Sequence, residues 1–141
     1  MTTDIRNLLG QRIEREEGRT KFPYTDTQGK LTIGVGWNLT DNGLPDSIID
    51  QLKGIALANA EAAAEGVAGY FAADPVRQSV VIAMCFQMGL GSVLRFHNFC
   101  QHFAAGQYEL AADDMLDSDW ARHDSPARAH RESDIMRSGS L

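Results

Sequence analysis

The sequence predicts an α+β chain, with a small antiparallel β-sheet lobe joined to a larger helical lobe. Three patterns carry this reading. Ile5, Leu8, Leu9 and Ile13 recur at helical spacing near the start. Leu31, Ile33 and Val35 alternate with Lys30, Thr32, Gly34 and Gly36, directly after the turn-forming run Asp26-Thr27-Gln28-Gly29. From Asn42 onward every apolar pattern is helical.

Thr3 or Asp4 is suited to cap the first helix, and Gly18 to end it. An extended stretch over 22–25 leads into the turn, and 31–35 returns as a half-buried strand. That register puts Thr32 on the face opposite the apolar side chains, flanked by glycine. Gly34-Val35-Gly36 then turns the chain into a short third strand over 37–39. Pro45 opens a short helix to Leu52, and an Ala-rich segment over 55–72 reads as a connecting helix. Asp74-Pro75 starts a helix through Val76, Val80, Ala83, Met84 and Gln87 to Gly89. Further helices are expected over 92–104, 108–116 and 125–136. The chain is thus expected to be one domain over 1–141, with a β lobe at about 19–54, a helical lobe from 1–18 and 73–141, and the connecting helix between.

Composition narrows the function. The 141 residues carry a formal charge of −6, against generic binding to nucleic acid or anionic membranes. Cys85 and Cys100 fit no metal spacing and read as free thiols of a protein made in a reducing compartment, with a disulfide between them as the alternative. His97, His102, His123 and His130 form no zinc set with them. The opening stretch lacks the apolar core of a signal peptide, and no run approaches the roughly 18 apolar residues of a membrane span. The expectation is a protein made in the cytoplasm that does not export itself by these routes.

The chemistry concentrates in Glu17 to Thr32. Two carboxylates, Glu17 and Asp26, and the hydroxyl of Thr32 converge on one helix-to-hairpin corner. Two acids and a hydroxyl there suit cleavage of a glycosidic bond by activated water. Glu16 falls inside the apolar stripe of the first helix, Glu17 at its edge and Glu14 opposite it. A carboxylate within that stripe needs a cationic partner or a proton. Glu17 also ends the helix, where the partial negative charge favours the proton-donating form of an acid. Each residue alone has an ordinary explanation: a fraying helix end, a turn-capping Asp, a strand-forming Thr.

EEG at 16–18, YTDTQGKLTIGVG at 24–36, FQMG at 86–89 and the stretch from Trp120 through PARAHR to Arg131 resemble the phage lysozyme family of T-even type. The matches keep the family's order and run from about Ile5 to Gly139. The resemblance implies a two-lobed fold and a muramidase that hydrolyses the bond between N-acetylmuramic acid and N-acetylglucosamine in peptidoglycan, with inversion. By position, Glu17 would be the general acid, Asp26 the carboxylate that activates water, and Thr32 its holder. Inversion implies carboxyl groups about 6.5–9.5 Å apart. Arg128 matches the partner of the catalytic Glu, and Arg131 the partner of its neighbour, here Glu16. Gln87 and Trp120 match residues beneath the cleft floor, where ordinary helix-core packing is an equal reading. With Gly34 and Trp37 they make up the expected substrate-binding set. No metal or organic cofactor is implied. The implied partners are peptidoglycan glycan strands and a holin that lets a monomeric endolysin out of the host cytoplasm to the wall, without nucleic-acid binding or membrane insertion.

Three features depart from the family. Trp37 stands where a His is usual, so it offers a sugar-stacking face or simply covers the small lobe. The sequence stops at Leu141, where the family continues into a final helix, so the bundle is expected to close differently. The −6 charge contrasts with strongly basic members, so cleft hydrogen bonds are expected to carry binding. Two rivals stand beside the muramidase. A lytic transglycosylase on a related fold would keep the Glu and yield anhydro products. A non-catalytic glycan-binding or phage structural module would have no need of all three residues.

Overall fold

The computed structural model describes residues 2–141. The fold is α+β, with one three-stranded antiparallel sheet among many helices. The chain divides into two compact units, Met1–Gln51 and Leu52–Leu141.

The first unit opens with α1 (Thr3–Glu17), capped by the Thr2 hydroxyl, which accepts from the Ile5 amide. Gly18 ends it by donating to the Glu14 carbonyl at 2.9 Å. Contrary to the sequence reading, α1 buries no residue, and Ile5, Leu8 and Ile13 are all exposed. With its stripe uncovered, Glu16 is exposed rather than set among apolar side chains. Glu14, expected to face solvent, is half-buried and bound by Arg19 at 3.3 Å.

Three strands follow: β1 (Thr20–Thr25), β2 (Leu31–Gly34) and β3 (Trp37–Asn38), in the order β1-β2-β3. Tyr24 pairs with Thr32 and Thr32 with Asn38, while Ile33 pairs with Trp37. Paired residues share a face and neighbours along a strand alternate. Tyr24, Thr32 and Asn38 therefore form one row, with Ile33 and Trp37 on the other face. Thr32 is 4% exposed, the one buried residue among those described in this unit, whereas Leu31 is exposed. The alternation was right and the choice of covered face was not: as the middle position of a three-strand row, Thr32 is flanked on both sides.

Polar contacts fasten this unit. Leu39 leaves the third strand to open the short α2 (Leu39–Asn42), whose Thr40 hydroxyl accepts from the Leu31 amide at 2.8 Å. Asp41 takes the Lys30 ammonium at 2.8 Å and the Asn38 amide at 2.9 Å. Lys30 is held above its usual range chiefly by that hydrogen bond, and Asp41 below its own by the same partner. The Trp37 indole donates to the Gly43 carbonyl at 2.7 Å.

One helix, α3 (Asp46–Ala64), replaces the two expected over 45–52 and 55–72, and the division between units falls within it. Gly54, which falls between the two expected segments, is carried inside the helix, since an isolated glycine costs only about 1 kcal/mol there. The helix stops at Ala64, ahead of a turn and a 3-10 helix at Tyr70–Ala72.

The second unit holds the hydrophobic core. Its helices are α4 (Pro75–Met88), α5 (Leu90–Val93), α6 (His97–Ala104), α7 (Tyr108–Leu116) and α8 (Pro126–Ser138), with a π-helical turn at Trp120–Asp124. Asp74 caps α4 by accepting from the amides of Val76 and Arg77, with Pro75 in the first turn. The expected helix over 92–104 is interrupted at Leu94–Phe96, giving α5 and α6. Val80, Val81, Met84, Phe99, Phe103, Met115 and Met136 are fully buried, and the Phe99 and Phe103 rings stack at 5.7 Å. Buried Ser133 on α8 donates to the Ala112 carbonyl on α7 at 2.9 Å.

Arg77 closes this bundle at the end of α8. Its guanidinium donates to the Met136 carbonyl at 2.8 Å, the Arg137 carbonyl at 3.2 Å and Asp74 at 2.7 Å, and lies 4.3 Å over the Tyr108 ring. Gly139, in the left-handed region at φ 68°, ends the helix where a Cβ would meet the Arg77 guanidinium at 2.5 Å. Cys85 and Cys100 are free thiols of this unit, both pushed up by burial.

Candidate active site

β2 and its flanking turns order the expected catalytic residues. At its start, Asp26 closes the hairpin turn: its Oδ1 accepts from the amides of Gln28 at 2.9 Å and Lys30 at 2.8 Å. The Asp26 carbonyl also accepts from the Gly29 amide at 3.1 Å, and its own amide donates to the Lys30 carbonyl at 2.9 Å. One carboxylate oxygen is thus locked, while Oδ2 takes no hydrogen bond from the described residues. Two residues beyond Lys30 comes Thr32, whose hydroxyl donates to the Lys30 carbonyl at 3.2 Å and keeps its lone pairs for a further donor.

Past the other end of β2 stands Gly36. A Cβ built there would lie 3.1 Å from Glu17 Oε2, so the carboxylate rests against the glycine backbone. At φ 69°, Gly36 also holds a left-handed conformation that a side chain would strain. The order along the strand is therefore Asp26 at the Lys30 turn, Thr32, then Glu17 at Gly36. Glu17 is exposed and Asp26 half-buried, which leaves both acids open to solvent or ligand. Gly34 lies between Thr32 and Gly36, opposite Thr20.

The other expected site residues distribute differently. Trp37 is on the sheet face opposite Thr32, 41% exposed, with its indole N–H taken by Gly43. Gln87 and Trp120 belong to the second unit, as do Arg128 and Arg131. Trp120 is 4% exposed and donates to Gln87 Oε1 at 3.1 Å, while Gln87 Nε2 donates to Ser125 at 2.6 Å. The pair joins α4 to the π-helical turn and lines a cavity of about 710 Å³ that also meets Phe96, Asp114 and Arg122. Arg128 and Arg131 flank Glu132 on α8; burial raises the Glu132 carboxyl, and the two arginines pull it back. Tyr24 was missed by the sequence reading although it shares Thr32's row; its signal was an aromatic two residues before Asp26, legible only with the register known. No group of His, Cys, Asp and Glu able to hold a metal occurs among the described residues.

No family model matches the chain. Two proteins of Dictyostelium discoideum, Probable T4-type lysozyme 1 and Probable T4-type lysozyme 2, are similar to it at 23% and 22% identity over an alignment 171 positions long, gaps included. Each likeness spans 100% of this chain and 98% of the relative. On its α+β fold the chain is thus similar, over its full length, to two proteins named T4-type lysozymes.

Proposed function

We propose that the chain is a peptidoglycan-hydrolysing muramidase that cuts the β-1,4 bond between N-acetylmuramic acid and N-acetylglucosamine with inversion. Glu17 is the general acid that delivers a proton to the leaving glycosidic oxygen. Asp26 accepts the proton of the attacking water through Oδ2, and Thr32 orients that water. The observation that carries this reading is the half-locked Asp26 carboxylate: two backbone amides hold Oδ1 and leave Oδ2 available beside the Thr32 row. A base fixed through one oxygen loses little freedom when it binds water. Likeness to proteins named lysozymes supports the substrate class. The chain then serves as an endolysin that waits in the host cytoplasm and reaches the wall after a holin opens the membrane.

Digestion of purified peptidoglycan, followed by analysis of the fragments, tests the chemistry. Reducing N-acetylmuramic acid ends are expected, with Glu17→Gln and Asp26→Asn each reducing their release by about 10²–10⁴-fold. Anhydro ends would indicate a lytic transglycosylase, and no solubilisation a binding module. Expression with and without a co-expressed holin tests the delivery step, since lysis should require both.

A further inference from the structure

The three aromatic residues of the first unit all remain exposed: Phe22 at 80%, Tyr24 at 37% and Trp37 at 41%. Trp37 lies on the wrong face for Thr32, and its indole is committed to Gly43. Tyr24 lies on the right one, directly across from Thr32 and two residues before Asp26. Phe22 sits in the irregular stretch between Thr20 and Tyr24, where the β1–β2 register shifts. Pro23 separates the two rings. β1 is an edge strand, and at Pro23 it has no amide to offer another strand, which disfavours pairing and leaves this segment open to a ligand.

We propose that Tyr24 and Phe22 form a glycan-stacking face that extends the site along β1 beyond Asp26 and Thr32. This rests on the muramidase reading for the identity of its ligand, a peptide-free stretch of peptidoglycan glycan. One face of a pyranose ring presents C–H groups and is apolar, while its rim carries hydroxyls and acetamido groups. A flat aromatic ring covers the first without competing for the second, and the tyrosine hydroxyl stays wet. Two rings on one extended segment, at about 3.3 Å of rise per residue, contact successive parts of a strand rather than one sugar. Their task is to hold the strand in register with the acids. They take no part in proton transfer.

Calorimetric titration of Glu17→Gln protein with glycan strands stripped of peptides by an amidase reads binding without turnover. Tyr24→Ala and Phe22→Ala, each added to that background, are expected to weaken binding by about five- to tenfold. Tyr24→Phe keeps the ring and is expected to bind as the parent does. Phe22 is too exposed for its truncation to unfold the sheet, so it decides the matter if Tyr24→Ala melts early. Parent-like binding by Phe22→Ala together with a folded Tyr24→Ala would overturn the proposal. So would a Tyr24→Phe loss as large as that of Tyr24→Ala, or a parent that binds no strand. Binding that depends on the two rings, with no muramic acid ends released by the wild-type protein, would sink the hydrolase reading alone. Hydrolysis with ring-independent binding would sink this one alone.

Discussion

The two units are built by different means. Leu52–Leu141 is packed around buried Phe, Met and Val, whereas among the described residues of Met1–Gln51 only Thr32 is buried. The first unit is fastened instead by directed polar contacts: Asp26 to two amides, Asp41 to Lys30 and Asn38, Thr40 to Leu31, Trp37 to Gly43. Apolar packing is strong and tolerant of small shifts, while hydrogen bonds fix direction at a modest net gain of about 1 kcal/mol each. The three residues proposed for catalysis are in the directed part. Aim and bulk stability are thereby divided between regions of the same chain.

The largest change should come from the packed unit. Phe103→Ala removes a fully buried ring stacked on Phe99 and is expected to cost about 3–5 kcal/mol in denaturant unfolding. A loss under about 1 kcal/mol would mean the core is not what holds that unit. Next, Arg77→Met strips two carbonyls at the end of α8, the Asp74 partner and the Tyr108 contact together, for about 2 kcal/mol. Hydrogen exchange should show the loss first in the last turn of α8; uniform loss across the unit would count against a closing role for this residue.

In the directed unit, one substitution should act with opposite signs at two places. Gly36→Ala forces a left-handed residue and crowds Glu17, and is expected to cost about 1–2 kcal/mol while lowering peptidoglycan hydrolysis. Gly10→Ala, within α1 and with open space around it, should instead stabilise by up to about 1 kcal/mol. Equal effects at both positions would remove the special status of Gly36.

The smallest effect is one of pH. Asp41, held below its usual range by Lys30, adds stability above the ordinary carboxylate range that is lost as pH falls through its lowered value. Asp74, held by Arg77, has the same sign. Glu132 has the opposite one: burial raises it, so its contribution is full below the ordinary range and fades as pH rises through its raised value. Glu132→Gln should therefore raise the melting temperature at neutral pH and leave it unchanged below the ordinary carboxylate range. A gain that persists in acid would assign the effect to packing.

Local chemistry was legible in the sequence and pairing was not. The Asp74-Pro75 cap, the Gly89 stop and the Asp26 turn depend on residues a few positions apart, and each stands where its pattern puts it. The face of Thr32 depended on what covers each side of the sheet, which alternation cannot tell. The expected split between 45–52 and 55–72 and the unbroken 92–104 helix failed for a related reason: propensity is weak, and neighbours decide whether a helix runs on or breaks. Glu17, Asp26 and Thr32 could be named together because they lie within one short helix-to-hairpin stretch of sequence. Tyr24 required the register.

Trp120, buried with its N–H on Gln87, and Trp37, partly exposed with its N–H on Gly43, are the two tryptophans of the chain, and each unit contains one. The protein therefore carries a built-in optical label for each region. Trp120 should emit at shorter wavelength and resist iodide, whereas Trp37 should emit to the red and be quenched. Replacing either with Phe leaves a single emitter, and the melting of each region then becomes visible by colour.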